Sequence, residues 1–166
     1  MNYGRINKTD IANGQGVRVS LFVSGCRNRC KGCFQPETWS FNYGQEFTLK
    51  TMFEIEDALD KNYIDGITIL GGDPFEPENI ESVTAICEAV YRLCPGKTIW
   101  IYTGYHFEDF KDHEIMKYIN VLVDGPFIEE LKDITLQFRG SSNQRLIDVP
   151  ESLKTGEVKL WEVENE

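Results

Sequence analysis

"GITILGGDPF", residues 66 to 75, is a short β-branched and apolar run that stops on two glycines and an Asp-Pro turn. With no clean polar face, such a run reads as a strand buried on both sides, the pattern of parallel sheets covered by helices. The same pattern recurs outward in both directions. Val17 to Val23 precedes it, and "TIWIY" at 98–102 and "INVLVD" at 119–124 follow, with "LIDV" at 146–149 as a last short strand.

Helical spacing fills the gaps. Leu49, Met52, Phe53, Glu56 and Leu59 form a stripe behind Thr48, a good N-cap residue. Ile80, Val83, Cys87, Val90 and Cys94 form a second, opened near Pro77 and closed by "PGK" at 95–97. Phe107, Phe110, Ile115, Met116 and Ile119 suggest a third, less regular helix. Strands alternating with helices predict an α/β fold built of βαβ units. A complete eight-stranded barrel needs roughly 200 residues or more. The 166 residues here predict a partial, open β/α barrel of about five to six mostly parallel strands. One domain is expected over residues 1–149, followed by a loose acidic tail over 150–166.

Composition narrows the function. Ten Phe, seven Tyr and three Trp supply a core, and 41% hydrophobic with 27% charged residues is a globular balance. A net charge of −10 argues against nucleic acid as a partner, because that partner requires a basic patch. The opening "MNYGRINKTDIANG" carries no apolar signal segment, and no run approaches the roughly 18 apolar residues of a membrane span. No membrane association is expected, and the expected location is the cytoplasm. Five cysteines, an odd number, do not suit a disulfide framework in that reducing compartment.

In parallel α/β sheets, ligands gather beyond the carboxyl ends of the strands. The segments there are "SGCRNRCKGCF" at 24–34, "GGDPF" at 71–75, "TGY" at 103–105 and "DGPF" at 124–127. The first places Cys26, Cys30 and Cys33 in a C-x3-C-x2-C spacing. Three thiolates on one tight loop can hold three corners of an iron–sulfur cubane, leaving the fourth iron open to a substrate. A structural zinc site completed by His106 or His113 is the alternative, although the spacing is tighter than that of paired zinc knuckles. Cysteines with no ligand at all are a further alternative. Cys87 and Cys94, seven apart on an apolar helical face, read as core residues.

C-x3-C-x2-C followed by an aromatic, here Phe34, resembles the signature of radical S-adenosylmethionine enzymes. "GGDP", Gly71 to Pro74, is similar to that superfamily's glycine-rich loop. Within it, "NGQGVRVSLFVSGC" at 13–26, "WSFNYGQEFT" at 39–48, "IWIYTGYHFED" at 99–109, "INVLVDGPF" at 119–127 and "FRGSSNQR" at 138–145 resemble the activating proteins of anaerobic ribonucleotide reductase, glycyl-radical activating enzymes. The likeness runs from about Asn2 to Arg145.

The resemblance implies a partial barrel of the radical S-adenosylmethionine type and one [4Fe-4S] cluster on Cys26, Cys30 and Cys33. It implies S-adenosylmethionine held by backbone around Gly32, Cys33 and Phe34 and by Gly71, Gly72 and Asp73. The open iron takes the amino and carboxylate groups of the cofactor, whose reductive cleavage yields an adenosyl radical. The implied partners are the catalytic subunit of the reductase, which receives a glycyl radical, and a flavodoxin-like electron donor. Radical abstraction needs no general base, so no catalytic side chain is assigned.

Phe34 stands where tyrosine is frequent and Gln35 where asparagine is usual. Thr103 and Asp124 end strands at positions where related activators place cofactor or cation ligands, or they cap turns. Arg18 reads as a solvated charge at a strand edge, with partner contact by "NGQGVR" as the alternative. "RGSSNQR" at 139–145 is a polar surface loop or a partner contact, and His106 and His113 are surface residues. Two rival readings are a radical enzyme acting on a small molecule and a non-enzymatic zinc-binding interaction module.

Overall fold

A computed structural model describes residues 1–34 and 36–162. Its strands are β1 (Asn2–Asp10), β2 (Arg18–Val23), β3 (Gln45–Glu46), β4 (Gly66–Gly71), β5 (Thr98–Tyr102), β6 (Val121–Asp124) and β7 (Arg145–Asp148). The helices are α1 (Leu49–Leu59), α2 (Pro77–Leu93), α3 (Phe107–Phe110) and α4 (Val149–Thr155). They form an α/β fold around one open sheet of seven strands, in the order β3-β1-β2-β4-β5-β6-β7. β2, β4, β5 and β6 are parallel, and the flanking β1, β3 and β7 are antiparallel.

Five to six strands were expected and seven are present. The additional pair is β1 and β3. β1, "NYGRINKTD", is a polar strand between β2 and the two-residue β3, with register shifts between Tyr3 and Arg5 and between Asn7 and Asp10. Those shifts erase the period-two pattern by which a half-buried strand is recognised.

α1 starts on a reciprocal cap: Thr48 Oγ1 accepts from Thr51 N, and Thr51 Oγ1 accepts from Thr48 N. α2 opens on Pro77, whose fixed φ suits the first turn. Both helices pack on one face of the sheet, burying Ile55, Leu59, Val83 and Cys87 against Val19, Leu21, Ile67, Ile69, Ile99 and Ile101. The third helical stretch is interrupted. α3 ends at Phe110, and a 3-10 turn over Glu114–Lys117 begins where His113 Nδ1 accepts from Ile115 N at 3.1 Å.

The opposite face forms rows across the parallel strands. Arg18, Gly66 and Thr98 are the first row, and Ser20, Thr68, Trp100 and Val121 the second. Arg18 is buried at 1% exposure, which corrects the expectation of a solvated edge charge. Its Nε donates to Thr68 Oγ1, its Nη1 to Gln15 O and Thr98 Oγ1, and its Nη2 to Ile67 O and Thr98 O. All five guanidinium donors are thus used, although burial lowers the Arg18 pKa to about 10. The charge seals the amino ends of the parallel strands.

The chain after Arg145 packs on the β7 edge as far as Trp161. Asp148 Oδ1 caps α4 through Glu151 N, Gly156 turns the chain at φ +78°, and Trp161 N returns to Leu146 O at 2.8 Å. Trp161 then stacks edge-on against Trp100 with ring centroids 4.9 Å apart. Residues 163–166 of the acidic tail lie outside the described residues. Trp161→Ala should lower stability by about 1–2 kcal/mol, read as a shift of the urea midpoint with an unchanged slope. Among the described residues, no helix is long and apolar enough to cross a membrane.

Candidate cofactor site

A cavity of about 610 Å³ opens at the carboxyl ends of the parallel strands. The loops after β2, β4, β5 and β6 all contribute to its wall, through Cys26, Cys30, Cys33, Gly71, Gly72, Thr103, Gly104, Gly125 and Phe127. The four rim segments picked out in the sequence therefore meet at one place. The remaining side is closed by the chain between β6 and β7, through Leu136, Phe138 and Gly140.

Cys26, Cys30 and Cys33 are half-buried and in no disulfide. The loop is fixed at its root by Gly25 N to Thr38 O at 2.7 Å and Cys26 N to Trp39 O at 3.2 Å. Cys33 N closes a turn on Cys30 O at 3.1 Å, with Gly32 inside it at φ +75°. Burial pushes the Cys26 thiol up to about 11 and raises that of Cys30, so metal loading must displace protons. Among the described residues, no three His, Cys, Asp or Glu side chains converge closely enough for a single metal ion. Neither His106 nor His113 is among the residues lining the cavity. The zinc reading therefore lacks its fourth ligand. A cubane takes its ligands at separate corners, and three free thiols spread along one wall suit it.

Gly71 and Gly72 are glycines because β4 ends hard against β2. A Cβ on Gly72 would sit 2.6 Å from Gly25 O and 2.8 Å from Gly25 N. A Cβ on Gly71, which has φ +112°, would sit 2.6 Å from Val23 O. Those contacts are backbone and cannot swing aside, and Gly25 is the root of the cysteine loop. Gly72→Ala should therefore cost about 1–3 kcal/mol and also lower the iron held per chain after reconstitution. Unchanged iron with unchanged stability would show that the two loops are not coupled.

Asp73 organises the rim. It is buried at 1% exposure. Its Oδ1 accepts from Phe75 N at 2.9 Å and Thr103 Oγ1 at 2.7 Å, and its Oδ2 from Gly104 N at 2.8 Å and Asn28 Nδ2 at 2.9 Å. One carboxylate thus joins the cysteine loop to the turns after β4 and β5. Its acceptor positions are filled by protein donors, so the side chain positions the rim and any ligand contact at this turn falls to the backbone.

A second buried carboxylate, Glu76, accepts from Tyr105 Oη at 2.6 Å and from Arg27 Nη1 at 2.5 Å. Asn79 Nδ2 donates to Ser24 O and Asp73 O at 2.9 and 3.0 Å. The sequence reading missed Asn28, Glu76, Asn79 and Tyr105. The available signal was their density in polar groups beside the rim turns, where buried polar atoms require partners.

Phe34 lies at the mouth, 68% exposed, with its ring 5.4 Å from Phe127 and Lys132 Nζ 5.1 Å above it. Gln35 lies outside the described residues. Thr103 and Asp124 act as caps. Thr103 Oγ1 accepts from Tyr105 N, and Asp124 Oδ2 accepts from Phe107 N at 2.8 Å while pairing with Arg145. His106 and His113 are exposed, and Cys87 is buried in the core. "RGSSNQR" spends its groups internally: Gln144 Oε1 accepts from Gly140 N and Ser141 N, Asn143 Nδ2 donates to Pro126 O, and Arg139 Nη1 donates to Gln144 O. It clasps the loop that closes the cavity.

Comparison with known proteins agrees with this chemistry. The model of a family described as a 4Fe-4S single cluster domain matches residues 12–147. The anaerobic ribonucleoside-triphosphate reductase-activating protein of Enterobacteria phage T4 is 46% identical over 146 residues, 88% of this chain and 93% of that protein. The proteins of that name from Escherichia coli strain K12 and Vibrio cholerae are 43% and 41% identical, each over 87% of this chain and 96% of their own length.

Proposed function

Because the chain belongs to the family of anaerobic ribonucleoside-triphosphate reductase-activating proteins, with a 4Fe-4S single cluster domain, we propose that Cys26, Cys30 and Cys33 hold one [4Fe-4S] cluster at the mouth of the cavity. The protein activates anaerobic ribonucleotide reductase. When bound, the cluster supplies the electron that splits S-adenosylmethionine into methionine and a 5′-deoxyadenosyl radical, which takes a hydrogen atom from a glycine of the reductase's catalytic subunit.

The residues of this chain bind, orient and shield. The cysteine loop offers three thiols. The backbone of Gly32, Cys33 and Phe34 would hold the adenosyl part of the cofactor, and that of Gly71 and Gly72 its methionyl part, while Asp73 keeps these segments in mutual register. The open sheet serves as a partial barrel of the radical S-adenosylmethionine type. Residues 1–149 carry the chemistry, and the described part of the acidic tail packs along the sheet edge as far as Trp161. Splitting a sulfonium calls for a potential near the low end of the roughly −700 to +450 mV open to such clusters, which suits a flavodoxin-like donor in the cytoplasm.

The observation that carries this reading is three free thiols on one rim loop, facing a cavity walled by the ends of the adjacent parallel strands. The test is anaerobic mixing of reconstituted protein, reductase, reductant and S-adenosylmethionine. A glycyl doublet in electron paramagnetic resonance is expected, and its absence with competent components would overturn the assignment.

A further inference from the structure

The chain that closes the cavity between β6 and β7 is a hairpin. Lys132 and Ser141 pair as an antiparallel bridge, Asp133 N donates to Gly140 O at 3.2 Å, and Ser142 N donates to Leu131 O at 3.0 Å. At its tip, Asp133 Oδ1 accepts from Thr135 N at 2.9 Å and from Thr135 Oγ1 at 2.6 Å, and Leu136 N closes on Asp133 O at 3.3 Å. Ile134 occupies the first corner of that turn. Its side chain is thus carried on bonded backbone, and at 90% exposure it is the most exposed large apolar side chain among the described residues.

A single exposed apolar residue needs no explanation, but this one is not alone. Leu131, 42% exposed, belongs to the same hairpin, and the 68% exposed Phe34 lies beneath its Lys132. Ile134, Lys132 and Phe34 all line the cavity, so this apolar surface rims its mouth. The polar side chains deeper in the wall are engaged elsewhere. Asn13 donates to Asp10, Asn28 to Asp73 and Arg139 to Gln144 O, Gln144 Oε1 accepts from Gly140 N, and the Arg5 guanidinium lies 4.3 Å over the Phe22 ring. Those groups bear on what is held inside, and the apolar rim bears on what covers it.

We propose that the hairpin tip, Leu131 to Ile134, is a docking surface for the catalytic subunit of the reductase, with Ile134 as an anchor that enters an apolar pocket on that subunit. This rests on the activase reading. Access selects the occupant. An electron donor seated on the rim would cover the mouth through which the glycine has to reach the radical. Electrons have another way in, because the cysteine loop also presents Arg29 and Lys31, which are exposed and line no part of the cavity. A second copy of this chain would cover the mouth just as the donor would. The acceptor of the radical is the one protein that must come to this rim. An apolar anchor on backbone that is already fixed loses little freedom on binding, which is the property of interface hot spots.

Ile134→Ser tests this in the reconstituted holoprotein, with the full-length catalytic subunit of the reductase as the binding probe. The Kd for that subunit should rise roughly tenfold to a hundredfold, and glycyl radical formed at subsaturating reductase should fall by a similar factor. Ile134→Val, which keeps an apolar anchor one methyl shorter, should raise the Kd only about threefold. The urea midpoint, and S-adenosylmethionine cleavage by the activase alone under a chemical reductant, should match the parent. A parent Kd in Ile134→Ser overturns the proposal, whether the change instead slows reduction by a flavodoxin, alters the oligomeric mass of the activase or weakens S-adenosylmethionine binding. A raised Kd accompanied by a lowered urea midpoint also overturns it, since the side chain would then be structural. A parent protein that forms no glycyl radical would instead sink the activase reading, and this proposal with it.

Discussion

Anaerobically reconstituted Cys30→Ala protein should hold a small fraction of the parent's iron, and its cleavage of S-adenosylmethionine should fall by more than ~1,000-fold. Residues that merely orient a metal ligand cost about 10–100-fold when removed, and removing a ligand itself costs more. A cubane is ordinarily gripped by four thiolates, and this loop offers three. Taking one away leaves two, too few to retain the cluster against dilution. Cys87→Ala is the matched control: its thiol lies in the core at 0% exposure, so the change should lower stability yet spare iron and turnover. Iron per chain, the brown absorption and the release of 5′-deoxyadenosine measure the difference. Cleavage at the parent rate by Cys30→Ala would remove the ligand assignment.

The second large effect is expected at Asp73. Asp73→Asn replaces one of two accepting oxygens with a donor that must face either Gly104 N–H and the Asn28 amide or Phe75 N–H and the Thr103 hydroxyl. Buried donors left unpaired make a loss of about 2–4 kcal/mol the expected result. The cysteine loop loses its tie to β5, so cluster content should fall as well.

The deficit should also depend on pH. Burial pushes the Asp73 carboxyl up to about 6 from 3.8, against the pull of its donors. Between those values the folded state holds a proton that the unfolded chain has released. The parent therefore loses stability as pH rises through this window. The Asn side chain does not titrate, so the gap between parent and variant should narrow from pH 4 to pH 6, as read from paired urea curves. A gap that widened with pH would show that the folded carboxyl ionises more readily than the unfolded one.

Much of the architecture was legible in the chain. The parallel strands and α1 and α2 declared themselves because each is apolar with a clear period and ends at Gly, Pro or a capping residue, as at Gly71, Thr48 and Pro77. The cysteine loop was legible because its residue types permit few uses. β1 was not, since its shifts in pairing break the alternation. Arg18 was misjudged because a charge at the start of a strand is normally solvated, and only tertiary structure reveals that carbonyls and hydroxyls of β4, β5 and the turn before β2 converge on its five donors. The structural part played by the Asp73 side chain was hidden for the same reason. Its partners Asn28 and Gly104 come from distant segments, and a turn signal carries no record of them.

The buried guanidinium at the foot of the sheet has a kinetic corollary. A vessel stoppered at its foot is loaded from above, where the four strand ends open, and the activated protein comes to that same side. The small molecule has to board first and its fragments leave last, so an assembled pair of proteins should exclude freshly added S-adenosylmethionine until the two separate. Trapping labelled cofactor in a preformed pair would reveal that sequence of events, and free exchange within the intact pair would deny it.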